Sequence, residues 1–312
     1  MKISIIIPIY NESANIPVLY QELKAVLNKQ TADFEIIFIN DGSTDTSTQA
    51  INKLIAADDS IKLIDFTRNF GKETAVTAGL NCCQGQAAII IDADLQHPVE
   101  LIPQFIAKWQ QDAKLVIGVR KKSYGINIFK RISSWFYYKI INSIAEIKVK
   151  PQATDYRLLD RDVINEFNRL TEKNRMVRGL IAWLGFKPEY LYFEAPPRRD
   201  GQARYNSLKL FKLALSSMIS LSLFPLKFAG YLGMFITFIA GLGGLFIFIE
   251  KYILDDPLNM NFSGPAILAV IILFLIGIVL SCLGLIALYI ANINAEVVNR
   301  PLYVIKQKTN FD

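Results

Sequence analysis

The chain has 312 residues, 52% of them apolar, and a formal net charge of +6, which allows one large domain and something smaller. Three cysteines, two of them adjacent (Cys82 and Cys83), leave no visible disulfide framework. The positive balance suits a meeting with anionic lipid or phosphate; nucleic acid is disfavoured, because no basic run with interleaved aromatics stands outside the membrane-flanking stretches.

The apolar residues are unevenly spread. Phe228–Ile249 and Pro257–Ala295 carry no charge, and each is long enough to cross a hydrocarbon core of about 30 Å as a helix. Residues before 226 carry charge throughout. The opening MKISIIIPIYNE is no secretory leader, since its apolar run is short and broken by Pro8 and Asn11, so the N-terminal domain is expected to stay in the cytoplasm.

In chain order, Ile3–Pro8 is a continuous apolar run, the pattern of a strand covered on both faces. Ser13 and Asn15 can cap a helix through about Asn28. Phe34–Asn40 predicts a second strand, ending at Asp41-Gly42-Ser43-Thr44-Asp45, and Ile61–Asp65 a third. Asn69-Phe70-Gly71 leads into a helix through about Cys83. Ala87–Asp92 predicts a fourth strand and Leu115–Val119 a fifth, with a helix after Pro98. Strands alternating with helices imply a mostly parallel α/β sheet, whose ligand lies beyond the carboxyl ends of the strands.

That rule gathers Tyr10 and Glu12 after the first strand, Asp41 and Asp45 after the second, Asp92 and Asp94 after the fourth and Arg120 after the fifth. Taken singly, each has an ordinary reading as a turn or helix-start residue. Together they crowd acids at one edge, which is costly unless cations or donors compensate. A divalent metal with a bound diphosphate meets that demand, and oxygen ligands favour Mg²⁺ or Mn²⁺ over zinc. His97, the only histidine, argues against a zinc site and reads mainly as a helix-start or surface residue.

Four segments, Pro8-Ile9-Tyr10-Asn11-Glu12, Asn40–Asp45, Arg68-Asn69-Phe70-Gly71-Lys72-Glu73 and Asp92-Ala93-Asp94-Leu95-Gln96-His97-Pro98, closely resemble in order and spacing the inverting GT-A glycosyltransferases of family 2. Within them the likeness is to polyprenyl-phosphate glycosyltransferases, the bactoprenol glucosyltransferases and dolichol-phosphate mannose synthases. The resemblance implies a Rossmann-like GT-A domain. It implies that Pro8, Tyr10, Glu12 and Asp41 hold the nucleoside of a nucleotide sugar and that Asp92 lies near nucleotide and sugar. Asp94 and Gln96, with Asp92 beside them, are implied as metal ligands, the ion assisting departure of the nucleoside diphosphate. Arg120 joins this donor set.

On the acceptor side, Ala153-Thr154-Asp155-Tyr156-Arg157 resembles the family's Gly-Asp-(Phe/Tyr)-Arg motif, with Asp155 the candidate base. A phosphate monoester is mostly dianionic at neutral pH, so it needs cations more than a base; Arg131 and Arg157 are expected to position it and Asp155 to orient the site. Arg198-Arg199-Asp200-Gly201-Gln202-Ala203-Arg204-Tyr205 resembles the family's Arg-x-x-Gly-x-Ser-Lys-Tyr, with Ala203 in place of serine and Arg204 in place of lysine. Arg198 and Arg204 are thereby candidate phosphate contacts, or a basic patch drawn to anionic lipid.

The expected organisation is a GT-A domain over 1–205, an interfacial helix over 206–225, transmembrane helices over 226–250 and 264–293, and a cytoplasmic tail over 294–312. The basic flanks Lys227, Arg300, Lys306 and Lys308, set against the acidic 250–256 loop, place both termini in the cytoplasm. Gly241, Gly243, Gly244 and the Gly277/Ser281 pair allow close helix packing, hence an expected homo-oligomer. Two spans and the lack of a Gln-x-x-Arg-Trp motif (Leu180-Ile181-Ala182-Trp183 is the nearest) argue against a polymer-exporting synthase. The expected reaction moves one hexose, glucose from UDP-glucose, to polyprenyl phosphate, with a separate flippase downstream. Mannosyl, galactosyl or aminoarabinosyl transfer, and a non-catalytic scaffold of the same fold, are the alternatives.

Overall fold

A computed structural model describes residues 2–30, 32–121, 150, 152–173, 175–194, 249 and 264–311. The expected interfacial helix over 206–225 and the expected span over 226–250, Ile249 apart, lie outside the described residues, as do Arg131, Arg198 and Arg204.

Among the described residues eight strands form one sheet: β1 (Lys2–Ile9), β2 (Asp33–Asn40), β3 (Ile61–Phe66), β4 (Ala87–Ile90), β5 (Leu115–Arg120), β6 (Ala153–Asp160), β7 (Pro188–Phe193) and β8 (Ile305–Thr309). The spatial order is β7-β5-β6-β4-β1-β2-β3-β8. β1 lies at the centre, parallel to both β2 and β4. Only β6 and β8 run against the rest. Ile3, Ile5, Ile7 and Ile9 pack on one face beneath α1 (Asn15–Leu27), α2 (Ser47–Ile55) and α4 (Ile102–Gln110). Ile6, with Ile37, Ile39 and Ile90, packs on the other beneath α3 (Lys72–Cys82), α5 (Arg161–Arg169) and α6 (Val177–Trp183). Coverage of both faces is why the central strands read as near-continuous apolar runs instead of alternating, the buried Ser4 and Glu35 being bonded to each other.

Three expectations are corrected. The first helix begins at Asn15 without a side-chain cap; the Glu12 carbonyl accepts the Asn15 and Ile16 N–H groups instead, and Asn15 Nδ2 donates to Glu12 Oε2 at 2.7 Å. β4 stops at Ile90, so Asp92 belongs to the loop, where Leu95 takes a left-handed φ of 58°. The segment over 294–312 is more than a tail. A 35-residue helix, α7 (Gly264–Val298), runs past the expected end at 293, and β8 then pairs antiparallel with β3. The chain divides into two compact units, and residues 299–312 belong to the same one as the sheet. α7 carries a single charged residue, Glu296, but no membrane span is established among the described residues.

Candidate active site

The carboxyl ends of β1 and β2 lead into loops that are stitched together. Asn11, at φ 53°, accepts the Thr44 N–H at 2.8 Å through its side-chain oxygen, and its own N–H donates to Ser43 Oγ at 3.0 Å. The Glu12 N–H donates to Ser47 Oγ, and the Ser13 N–H to Asp45. These bonds hold Pro8, Tyr10 and Glu12 beside the 41–45 turn. Asp41 is buried, and its carboxylate accepts the Phe70 N–H at 2.6 Å and the Gly71 N–H at 2.9 Å. Burial raises its pKa against the pull of those bonds. Gly42 has φ 62°, and a Cβ there would stand 2.3 Å from the Arg68 carbonyl carbon, so the turn needs glycine for both backbone and space. Asp41-Gly42 thus clamps the 68–71 loop and sets where α3 begins.

At that point stands Lys72. Its Nζ lies 2.8 Å from Asp92 Oδ2 and 2.8 Å from Asp155 Oδ2. Asp92 arrives on the loop after β4. Asp155 arrives at the start of β6, whose antiparallel run beside β4 pairs Ile90 with Arg157. The reversed strand therefore delivers its beginning to the edge where its neighbour delivers its end. Arg178 on α6 completes the chain of charges, its Nε 2.5 Å from Asp155 Oδ1. Burial alone would raise the Asp155 pKa, but Lys72, Arg178 and Arg157 outweigh it and hold the carboxyl far below the usual range. For Lys72, burial acts downward and is overcome by Asp92 and Asp155, so the ammonium is held charged. Glu73 is pushed up by burial and by Asp155, and accepts the Val177 N–H at 2.8 Å.

In the 91–98 loop, Asp94 Oδ1 accepts the Gln96 N–H at 3.2 Å. Arg120, from the end of β5, donates to Gln96 Oε1 at 3.1 Å. His97, expected at a helix start or on the surface, stands two residues before the short helical turn Val99–Leu101 and is buried. Its Nδ1 accepts the Asp92 N–H at 3.1 Å, and its ring stacks on Tyr156 at 4.9 Å. Burial lowers its pKa and keeps it neutral, which that acceptor role requires. Arg157 is buried and donates to the Thr154 carbonyl.

The loops after β1, β2 and β4, the end of β5 and the start of β6 therefore carry Pro8, Tyr10, Glu12, Asp41, Asp92, Asp94, Gln96, Arg120 and Asp155 to one edge of the sheet, where Lys72 joins Asp92 to Asp155. Lys72, Arg178, His97 and Asn11 carry connections that sequence reasoning left without a role. Lys72 had a signal, since it follows Gly71 inside a recognised segment; Arg178, 23 positions beyond Asp155, had none.

Among the described residues no three His, Cys, Asp or Glu side chains form a ready metal cluster. Asp92, Asp94 and Gln96 are oxygen donors on one loop, and Mg²⁺ or Mn²⁺ commonly takes one or two carboxylates and completes its shell with substrate phosphate and water. The donor set therefore fits such an ion.

The family model described as Glycosyl transferase family 2 matches residues 4–167. An uncharacterized glycosyltransferase of Bacillus subtilis, YkcC, is 38% identical over 99% of this chain and 94% of its own. The SfII prophage-derived bactoprenol glucosyl transferase of Shigella flexneri is 38% identical over 98% of both chains. Among solved structures, glucosyl-3-phosphoglycerate synthase of Mycobacterium tuberculosis, in complex with Mn²⁺, UDP-glucose and phosphoglyceric acid, shares the fold. Its TM-score is 0.51 at 17% identity, covering 69% of this chain and 76% of that one.

Proposed function

Because this chain belongs to glycosyl transferase family 2 and is a glycosyltransferase, we propose that it moves a single glucose from UDP-glucose to polyprenyl phosphate, with inversion, at the cytoplasmic face of a membrane. The observation that carries the reading is the Lys72 bridge. One ammonium joins Asp92, on the donor loop, to Asp155, on the acceptor-side motif, so the two segments meet at one cation. The bactoprenol glucosyl transferases that match over nearly the full length support the choice of donor sugar and lipid.

In this scheme Pro8, Tyr10, Glu12 and Asp41 line the nucleoside's place, and Asp92 faces nucleotide and sugar. Asp94, Gln96 and Asp92 would hold Mg²⁺ or Mn²⁺. When bound, that ion supplies charge neutralisation for the departing diphosphate. Arg120 orients Gln96 and adds positive charge beside the diphosphate. The attacking group is a phosphate oxygen already ionised at neutral pH, and inversion needs only that it meet the anomeric carbon in line, opposite the leaving group. Asp155, its pKa held far down by Lys72 and Arg178, is a poor proton acceptor. It serves instead to fix those two cations where acceptor phosphate arrives. Arg131, Arg157, Arg198 and Arg204 are the further cations proposed for phosphate.

The pairing of β8 with β3 supports the topology. The chain leaves the domain after residue 206 and returns to it at 299, so any bilayer crossings between must be even in number. The two uncharged runs supply two, with both termini on the basic, cytoplasmic side. A homo-oligomer and a separate flippase complete the proposed setting.

The test is transfer of label from UDP-glucose to polyprenyl phosphate by the purified full chain with Mg²⁺ or Mn²⁺. Lipid-linked label is expected, with the anomeric configuration inverted. Label from a mannosyl, galactosyl or aminoarabinosyl donor instead would replace the sugar. No lipid product with any of them would remove the proposed reaction.

A further inference from the structure

On the sheet face that carries Asp155, strand pairing sets Ile90, Arg157, Ile117 and Tyr190 in one row across β4, β6, β5 and β7. Arg157 is the exception in that row, an arginine 3% exposed among apolar and aromatic neighbours. One of its terminal nitrogens donates to Thr154 O at 2.8 Å, while its buried Nε has no hydrogen-bond partner among the described residues. A buried donor of a charged group left without an acceptor is costly.

Beside it lies a cavity of about 120 Å³ between β5, β6, β7 and α6. Arg157, Arg178 and Lys150 line it, with no carboxylate among the lining residues, and Ile181, Phe186 and Tyr190 supply apolar and aromatic walls. Of the nearby acids, Asp155 is shared between the cavity's Arg178 and Lys72, and Glu73 accepts the Val177 N–H. Lys150 sits 3.5 Å above the Tyr190 ring and donates to Tyr192 Oη at 2.7 Å, and no carboxylate among the described residues pairs with it.

We propose that this cavity is an anion site for a phosphate monoester, held by Arg157, Arg178 and Lys150. Asp155, shared with Lys72, offsets the three cations around this small space only in part, so an incoming anion relieves the remaining repulsion, and guanidinium groups match phosphate geometry. The volume suits a head group, since sites for drug-sized ligands run to about 300–1,000 Å³. The apolar wall accommodates the first carbons of an attached chain. Arg178 touches both the cavity and Asp155, so an occupant would lie one side chain from the acid network. The phosphate has two possible sources, a lipid acceptor's head group or free phosphate; only the first rests on the reaction proposed above.

The full chain in detergent is titrated calorimetrically with farnesyl phosphate, inorganic phosphate and farnesol. Two variants are compared: Lys150→Met, which removes a cation, and Ala182→Phe, which fills the cavity and keeps the charges. Thermal unfolding confirms that each is folded. Farnesyl phosphate is expected to bind and farnesol not, and both variants are expected to weaken phosphate binding by about tenfold or more, the scale of one charge-assisted hydrogen bond. Tighter binding of farnesyl phosphate than of inorganic phosphate assigns the site to the lipid, and equal binding assigns it to free phosphate. Unchanged affinity in both folded variants, or no phosphate binding by the parent, overturns the proposal. Sugar transfer that persists while the variants bind normally removes only this site. Binding lost in the variants without any lipid glycosylation removes only the reaction.

Discussion

Lys72 Nζ stands 2.8 Å from Asp155 Oδ2 although 83 positions separate the two residues. The contact exists because Asp41-Gly42 fixes the start of α3 while antiparallel β6 presents its first residues at the same edge. Replacing Lys72 by methionine leaves Asp92 and Asp155 facing each other without their shared cation. The expected result is a fall in kcat/KM of about ten- to a hundredfold, as for loss of a charge-assisted contact made at the reacting groups. Lys72→Arg should recover part of it. Steady-state kinetics of both variants check this, and a Lys72→Met enzyme with parental kinetics would leave the bridge without a catalytic part.

Asp155→Asn separates positioning from proton transfer. The carboxyl is ionised across the working range because Lys72 and Arg178 overcome its burial, so no limb of the pH–rate profile between pH 5 and 8 should belong to it. The asparagine keeps the size and one acceptor oxygen for Arg178. A loss of kcat of about tenfold or less, with the profile unchanged in shape, is expected. A loss of several orders together with a vanished acidic limb would restore the base.

The donor loop depends on His97, whose neutral Nδ1 takes the Asp92 N–H. His97→Leu fills the space but leaves that N–H without its acceptor, at a cost of about 1–3 kcal/mol. The variant should melt lower and bind UDP more weakly, while His97→Gln, which can still accept, should lose less. Thermal unfolding and UDP titration give both numbers, and equal behaviour of the two variants would remove the hydrogen bond as the cause.

Much of this was readable in the amino-acid order, and the failures have physical reasons. The β1, β2 and β4 strands announced themselves because burial on both faces leaves near-continuous apolar runs. β6 did not, because its first half, Ala153-Thr154-Asp155-Tyr156-Arg157, carries the chemistry in place of an apolar pattern, and its pairing is antiparallel. β8, Ile-Lys-Gln-Lys-Thr, is an edge strand with three exposed central residues, and polar edge strands look like tails. Asp92, Asp94 and Asp155 could be singled out from their segments. Arg178 could not be, since a lone arginine on a short helix gains meaning only when folding sets it against Asp155.

Glu35 predicts an acid limb in stability. It is buried at the opposite end of the strands, with Ser4 Oγ at 2.5 Å, the Gln84 N–H at 2.7 Å and Lys62 Nζ at 3.0 Å. Burial raises its pKa, but these partners outweigh it and bring the carboxyl from 4.5 to about 2. A carboxyl lowered on folding stabilises the protein at pH values above its unfolded pKa and loses that contribution as pH falls through the folded one. The window is therefore pH 4.5 down to about 2, and the contribution at neutral pH is about 3 kcal/mol at 1.36 kcal/mol per unit. Glu35→Gln should unfold at a lower temperature at pH 7 and show a shallower loss of stability over that window. Parallel acid limbs in parent and variant would assign the limb to other groups.

The tail closes the sheet, and its removal should show what an uncovered edge does. β8 shields β3 through pairing from Leu63 to Phe66. Tyr303 stacks on Phe66 at 5.1 Å, and Asn310 Nδ2 donates to Ile61 O at 2.9 Å. Phe311 lies beneath the ammonium groups of Lys62 and Lys308. Without residues 303–312, β3 would present an apolar strand with unpaired N–H and C=O groups, a template for pairing with another chain. The truncated protein should melt several degrees lower and self-associate on warming, as light scattering would report. Phe311→Ala, which keeps the backbone pairing, should shift the melting temperature less and leave scattering near the parent's. If truncation and Phe311→Ala behave alike, side-chain packing and not backbone pairing is what the tail contributes. If neither differs from the parent, β8 covers an edge that the remaining strands already tolerate.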